Sequence, residues 1–278
     1  MSRVSNLPRF PIDEADLKPL GKTGEKIPSI GMGTWGIRSY ADAEEVLVAA
    51  IERGLWLIDT AEMYGEGLAE QLVGRVVKRV GRDRVFIITK LRPYHFASPD
   101  SAVKAAEASC RRMGVNYVDL LLIHWPEELV PIHVQIKSLE AVAEKGLTRY
   151  IGVSNFSPEQ LREAMESASK HEIVLNQVKY SVVDRKVERK LLPMCIQLGV
   201  TLQAYTAIER GAVARHPRVI EVAQRIGKTP IQVALNFIIS RPMTTALVKT
   251  ERMDHLEEIL GSLGWRLSAE LIELLETA

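Results

Sequence analysis

Three short apolar runs in this chain each end in a side chain that an apolar core would not tolerate unpaired. Leu55-Trp56-Leu57-Ile58 runs into Asp59, Val85-Phe86-Ile87-Ile88-Thr89 into Lys90, and Leu120-Leu121-Leu122-Ile123 into His124. Tyr64 follows Asp59 closely in Thr60-Ala61-Glu62-Met63-Tyr64-Gly65. Taken singly, Asp59 and Lys90 read equally well as a structural ion pair, and His124 as a satisfied core histidine. Taken together, an acid, a phenol, an ammonium and an imidazole make a proton donor. A free phenol titrates near ~10 and is a poor acid at neutrality. A neighbouring ammonium favours the phenolate, and a carboxylate keeps that ammonium charged and in place. Such a group suits an alkoxide, the charge that develops when hydride reaches a carbonyl.

The elements that must position these residues are legible. From Ile27 onward, strand-like runs (29–33, 55–59, 85–90, 117–124, 149–153, 174–178, 201–205 and 244–248) alternate with segments of helical period, among them 41–53, 68–80, 100–113, 132–144, 158–169 and 189–198. Ser157-Pro158-Glu159-Gln160 and Thr229-Pro230-Ile231-Gln232 each place a hydroxyl N-cap, a proline at the first helical position and a glutamine that can reach back. Most strands are continuous apolar runs, the mark of a parallel sheet buried on both faces. Eight of them predict an α/β fold, a closed β/α barrel, whose strand C-termini converge on one opening. Gly31-Met32-Gly33-Thr34-Trp35-Gly36 resembles a dinucleotide fingerprint only superficially, since it occupies a strand and no helix opens at its end. A hairpin over 17–27, turning at Lys22-Thr23-Gly24, is predicted to plug the bottom, and residues 1–16 to pack loosely.

Composition narrows the partners. The 278 residues carry 36 basic and 35 acidic side chains, with no linker or charge block, so a single domain over 1–278 is expected and neither nucleic acid nor an anionic membrane is. Cys110 and Cys195 have no metal-ligand spacing and no metal site is expected. The N-terminus lacks the apolar segment of a secretion signal, and no stretch reaches membrane-spanning length. A monomer in the cytoplasm is expected. Five basic residues between Arg75 and Arg84 read as a solvated surface.

Asp59-Thr60-Ala61-Glu62-Met63-Tyr64-Gly65, Lys90, Ile123-His124-Trp125-Pro126 and Tyr150-Ile151-Gly152-Val153-Ser154-Asn155-Phe156 occur in this order and together resemble the aldo-keto reductases. The resemblance covers about Leu17 to Leu260. It implies a barrel that binds a nicotinamide dinucleotide without a Rossmann domain, with Asp59, Tyr64, Lys90 and His124 as catalytic tetrad and Tyr64 as general acid. It further implies that Ser154, Asn155 and Gln177 hold the carboxamide and that Tyr205 stacks on the nicotinamide ring. Gly33, Thr34 and Trp35 would line the cofactor cleft, with Thr206, Ile208 and Gly211 along the pyrophosphate. Lys249 and Thr250 would meet a 2′-phosphate. His255 stands where the family has an arginine and Ile259 where it has an asparagine, so NADP(H) is favoured with NAD(H) open. Trp35, Trp125 and Phe96 match walls of a pocket for a small carbonyl substrate. The rim loop 126–131 is short and one helix follows Trp265, which predicts a shallow, open site.

Two other readings compete. Lys90 could be a Schiff-base nucleophile at a barrel rim, though Asp59 beside it would keep it protonated. Alternatively the barrel binds its cofactor as a regulatory or weakly catalytic protein.

Overall fold

The computed structural model of the protein describes residues 9–277. A two-stranded antiparallel hairpin, β1 (Leu17–Pro19) and β2 (Lys26–Pro28), precedes a closed parallel barrel. The barrel strands are β3 (Ile30–Gly33), β4 (Leu57–Asp59), β5 (Phe86–Leu91), β6 (Val118–Ile123), β7 (Thr148–Ser154), β8 (Ile173–Lys179), β9 (Thr201–Tyr205) and β10 (Thr244–Val248), with β10 closing on β3. Helices α1 (Tyr40–Glu52), α2 (Leu68–Val80), α3 (Pro99–Met113), α4 (Ile132–Glu144), α5 (Pro158–Ser167), α6 (Leu191–Leu198), α7 (Pro217–Ile226), α8 (Pro230–Ile239), α9 (Met253–Leu260) and α10 (Ala269–Glu276) surround it. The expected β/α barrel with an N-terminal hairpin is what forms.

Strand alternation sorts each side chain to one of two cores. Ile58, Ile87, Leu121, Ile123, Ile151 and Val153 face the helices, whereas Leu57, Phe86, Ile88, Leu120, Leu122, Leu175 and Leu247 fill the barrel. Leu20 and Ile27 of the hairpin join that inner cluster, so the hairpin does stopper the barrel. Glutamine returns to the backbone in both predicted capping boxes, at Ser157 and at Thr229. Gly74 lets α2 meet the end of α3, where a Cβ would lie 2.5 Å from the Met113 carbonyl oxygen. Arg75 and Arg79 reach Glu44 and Glu45 on α1, and Arg82 reaches Asp119, so these members of the basic run are spent on ion pairs.

The loosely packed N-terminus is a correction as far as residues 9–16 are concerned; residues 1–8 lie outside those described. Phe10 is buried under the Arg241 guanidinium, and Arg266 binds the carbonyls of Asp13 and Ala15 and the Asp16 carboxylate. One anchored aromatic and two backbone carbonyls captured by an arginine near the other end of the chain leave no pattern in a short polar segment. Among the described residues, no helix is long and apolar enough to cross a membrane.

Lys18, on β1, is wholly buried with Nζ 2.8 Å from Asp13 Oδ2. Burial draws its pKa down to about 8 against the opposing pull of Asp13. The folded state therefore sheds this proton before the unfolded chain does, and stability rises with pH between about 8 and 10.5 on this account. Lys18→Met is expected to stabilise the protein at pH 7 by about 1–2 kcal/mol. Thermal melts should show the gain shrinking by pH 10; a gain that grows with pH would contradict the assignment.

Candidate active site

Above the apolar plug, the inward positions of the strands turn polar. Asp59 follows Leu57 by two residues on β4, Lys90 follows Ile88 on β5, and Gln177 follows Leu175 on β8. His124 lies one residue past β6, two after Leu122. Lys90 is fully buried and its ammonium donates to both Asp59 oxygens at 2.7 and 2.8 Å, to the Thr60 carbonyl at 2.9 Å and to Tyr64 Oη at 3.3 Å. Tyr64 comes from the turn after β4, and the His124 ring stands edge-on to it at 5.7 Å. All four residues expected to act together are thus in one cluster.

The electrostatics differ from expectation in one respect. Lys90 was expected to make Tyr64 more acidic. Burial instead dominates and raises Tyr64 above its ordinary value; Lys90 pulls the other way and Asp59 opposes Lys90. Burial works against the Lys90 charge too, but Asp59 and Tyr64 outweigh it and hold the ammonium above its usual range. The ion pair with Asp59 opposes the neutral amine that a Schiff-base nucleophile needs, which weighs against that reading. For His124, burial first and then the charges of Lys90 and Arg92 bring the pKa down to about 3, so the imidazole is neutral at physiological pH.

The expected cofactor residues divide into two groups. Ser154 ends β7, Tyr205 ends β9, and Asn155 links them: its Nδ2 donates to the His124 carbonyl and Ser154 Oγ, and its Oδ1 accepts from Tyr205 Oη at 2.8 Å. Asn155 and Thr206 both have positive φ, 61° and 58°. For β-branched Thr206 that conformation is strained, and such residues gather at functional rims. Gln177 Nε2 donates to Asp59 and to Gln203 Oε1, each at 2.8 Å. Its Oε1 is left as an acceptor, which is what a carboxamide NH2 requires. Trp35 is 55% exposed with the Arg210 guanidinium 4.9 Å above its ring, joining the β3 and β9 loops across the end of β10. Gly211 follows Arg210 with φ 88°, Ile208 is half-buried against the core, and a Cβ on Gly33 would meet only the Val248 backbone at 3.5 Å and beyond.

The other residues sit differently. Thr34 is buried with its hydroxyl donating to the Asp59 carbonyl, so it supports the acid and presents no hydroxyl to a ligand. Thr250 is buried in a turn in which its Oγ1 accepts from Arg252 N. Lys249 is paired with Glu251 at 2.6 Å, and that carboxylate also accepts from Arg38 N and Ser39 N. His255 is exposed on α9, and Ile259 is packed in the core. Trp125 is 40% exposed beside His124, and Tyr94 is 54% exposed. Phe96 is a correction: it is completely buried, because the turn Pro93–Ala97 carries it beneath the loop toward α4.

Sequence reasoning missed Gln203, whose inward position on β9 carries the Gln177 amide, and Glu251, whose carboxylate neutralises Lys249. It also missed Glu62, whose carboxylate accepts from Arg92 N at 2.6 Å, and with it Arg92. A polar residue at inward parity was the available signal for Gln203 and Arg92.

The fold is an eight-stranded barrel with this buried polar cluster at its mouth, and comparison with known proteins gives the family. The sequence profile of the Aldo/keto reductase family matches residues 29–278, so the chain belongs to that family of carbonyl-reducing oxidoreductases, which use a nicotinamide dinucleotide. It is 32% identical to Methylglyoxal reductase YeaE of Escherichia coli K12 over 261 residues, 91% of each chain. It is 30% identical to an NADH-specific methylglyoxal reductase of the same organism, over 69% of this chain and 67% of that one. The thermostable aldo-keto reductase Tm1743, solved with the inhibitor epalrestat, superposes with a TM-score of 0.88 at 38% identity, covering 94% of this chain and 98% of that one. An aldo/keto reductase of Klebsiella pneumoniae, solved with NADP and acetate, gives 0.86 at 30% identity, covering 99% and 95%.

Proposed function

We propose that the protein reduces small aldehydes and ketones to alcohols, with Tyr64 as the proton donor. The observation that carries this reading is the direction of the Lys90–Tyr64 hydrogen bond. Lys90 donates to the phenolic oxygen, which leaves the phenol's own proton free for a substrate oxygen. Neutral His124 can donate a second hydrogen bond to that oxygen, and its buried Nδ1 has no partner among the described residues. When bound, a reduced nicotinamide would supply hydride for the carbonyl carbon. Ser154, Asn155 and Gln177 would hold its carboxamide and so choose the ring face turned to the substrate, and Tyr205 would stack on the ring. Asp59 holds Lys90 charged throughout. The methylglyoxal reductases among the relatives support a small carbonyl substrate.

The dinucleotide is NADPH or NADH. Lys249 offers a cation for a 2′-phosphate, but Glu251 sits against it, and a carboxylate there repels a phosphate while suiting a ribose hydroxyl. Relatives and structural neighbours include both an NADH-specific reductase and an NADP complex. Titration of tryptophan fluorescence with each cofactor is expected to give dissociation constants within about tenfold of one another. Glu251→Gln should tighten NADPH by about 3- to 10-fold and not tighten NADH. The reading as a whole is tested by mixing the protein with 4-nitrobenzaldehyde and either cofactor. Consumption of the cofactor with matching alcohol is expected, and no turnover with both would overturn it.

A further inference from the structure

We propose that the Arg92 guanidinium is an anion-binding group of the substrate mouth, so that the preferred carbonyl compounds carry a carboxylate close to the reacting C=O; this rests on the reductase reading above and names its substrate class.

Placement comes from strand geometry. Phe86 and Ile88 belong to the inner cluster and Lys90 continues the same face of β5. Arg92 lies two residues further on a backbone that is still extended, φ −62° and ψ 143°, so its side chain leaves on the side of Lys90, one level nearer solvent. Register supplies its neighbour. Lys90 pairs with Leu122 and Leu91 with Ile123, and His124 N donates to the Leu91 carbonyl at 3.1 Å. Arg92 is therefore the lateral neighbour of His124, at the level where Tyr64 and His124 would receive a carbonyl oxygen. Its backbone is pinned by Glu62, and Pro93 begins the turn immediately after it.

The guanidinium itself is uncommitted. Six arginines among the described residues are other than exposed: Arg82, Arg92, Arg112, Arg185, Arg241 and Arg266. Five of them pair with carboxylates, respectively Asp119, Glu70, Glu188, Glu188 with Glu276, and Asp16 for Arg82, Arg112, Arg185, Arg241 and Arg266. Arg92 has no carboxylate or carbonyl partner among the described residues. The nearby Glu62 is occupied by the Arg92 backbone N–H and by His95 Nε2 at 3.3 Å. Lys90 is neutralised by Asp59, so Arg92 is the uncompensated charge next to His124. A half-buried guanidinium with free donors is shaped for two parallel hydrogen bonds to a carboxylate.

Benzaldehyde, 4-carboxybenzaldehyde and phenylglyoxylate separate the possibilities, assayed on the wild type, Arg92→Leu and Arg92→Lys. The wild type is expected to favour at least one carboxylate-bearing compound over benzaldehyde in kcat/KM. Arg92→Leu should lower kcat/KM for that compound by about 10- to 100-fold, mainly through KM, and change benzaldehyde by less than about threefold. Arg92→Lys should recover part of the loss. Equal losses on neutral and anionic substrates, or no preference in the wild type, would overturn the role of Arg92 while leaving the reductase intact. A wild type inactive on all three would overturn the reductase reading and this inference with it.

Discussion

Tyr64→Phe is expected to lower kcat for aldehyde reduction by about 10²- to 10⁴-fold while cofactor binding and thermal stability stay near wild type. The variant removes one oxygen and its proton, and Lys90 keeps its bonds to Asp59 and to the Thr60 carbonyl. No charge is stranded, so the loss measures the proton. Burial raises the Tyr64 pKa, so the donor stays loaded through the neutral range. His124, with its pKa down at about 3, adds no step near its ordinary value. The wild-type rate of reduction is therefore expected to be level from pH 5 to 8 and to fall only in alkali, as Tyr64 loses its proton. Steady-state assays across pH with both proteins check this. Retention of wild-type kcat by Tyr64→Phe would remove the phenol from the mechanism, and an inflection near pH 6–7 that vanished in His124→Gln would show that the imidazole titrates.

How much of this was visible in the sequence follows from where strand periodicity holds. Asp59 and Lys90 stand at inward parity on strands whose other inward residues are apolar, so the end of each run located them at the barrel mouth. The hairpin plug was legible for the same reason, since Leu20 and Ile27 flank a marked turn. Beyond the last strand residue the period is lost. Phe96 looked like a pocket wall because it closely follows Lys90, yet Pro93 starts a turn that sends it inward and leaves Arg92 at the mouth. Thr34 and Thr250 are hydroxyls in plausible places whose bonds go to backbone groups, a matter of rotamer and turn that residue type does not encode. The sign of the Tyr64 shift also escaped, because the neighbouring ammonium is apparent from motif spacing while the depth of burial is not. Glu251 stands two residues from Lys249 in the sequence, but residue type alone does not say that its carboxylate turns back onto that ammonium.

Asp59→Asn is expected to lower stability by about 3 kcal/mol, and Asp59→Asn/Lys90→Met to regain most of that loss without regaining activity. The Lys90 ammonium is fully buried, and Asp59 is its sole ion-pair partner among the described residues. Removing that charge leaves a cation with only the Thr60 carbonyl, Tyr64 Oη and a neutral amide to solvate it. Gln177 loses part of its anchoring too, although its bond to Gln203 remains. Taking the cation away as well replaces a buried ion pair by uncharged groups of similar volume, a change that costs little in a packed interior. The two substitutions should therefore be strongly non-additive in chemical denaturation. Activity behaves otherwise: without Lys90 nothing opposes the burial that raises the Tyr64 pKa, and nothing donates to its oxygen, so the double variant should remain at the level of Tyr64→Phe. Stability losses that simply add would mean that Lys90 is solvated by something other than Asp59. Recovery of turnover together with stability would mean that the pair serves the fold alone, and that the proton reaches the substrate by another route.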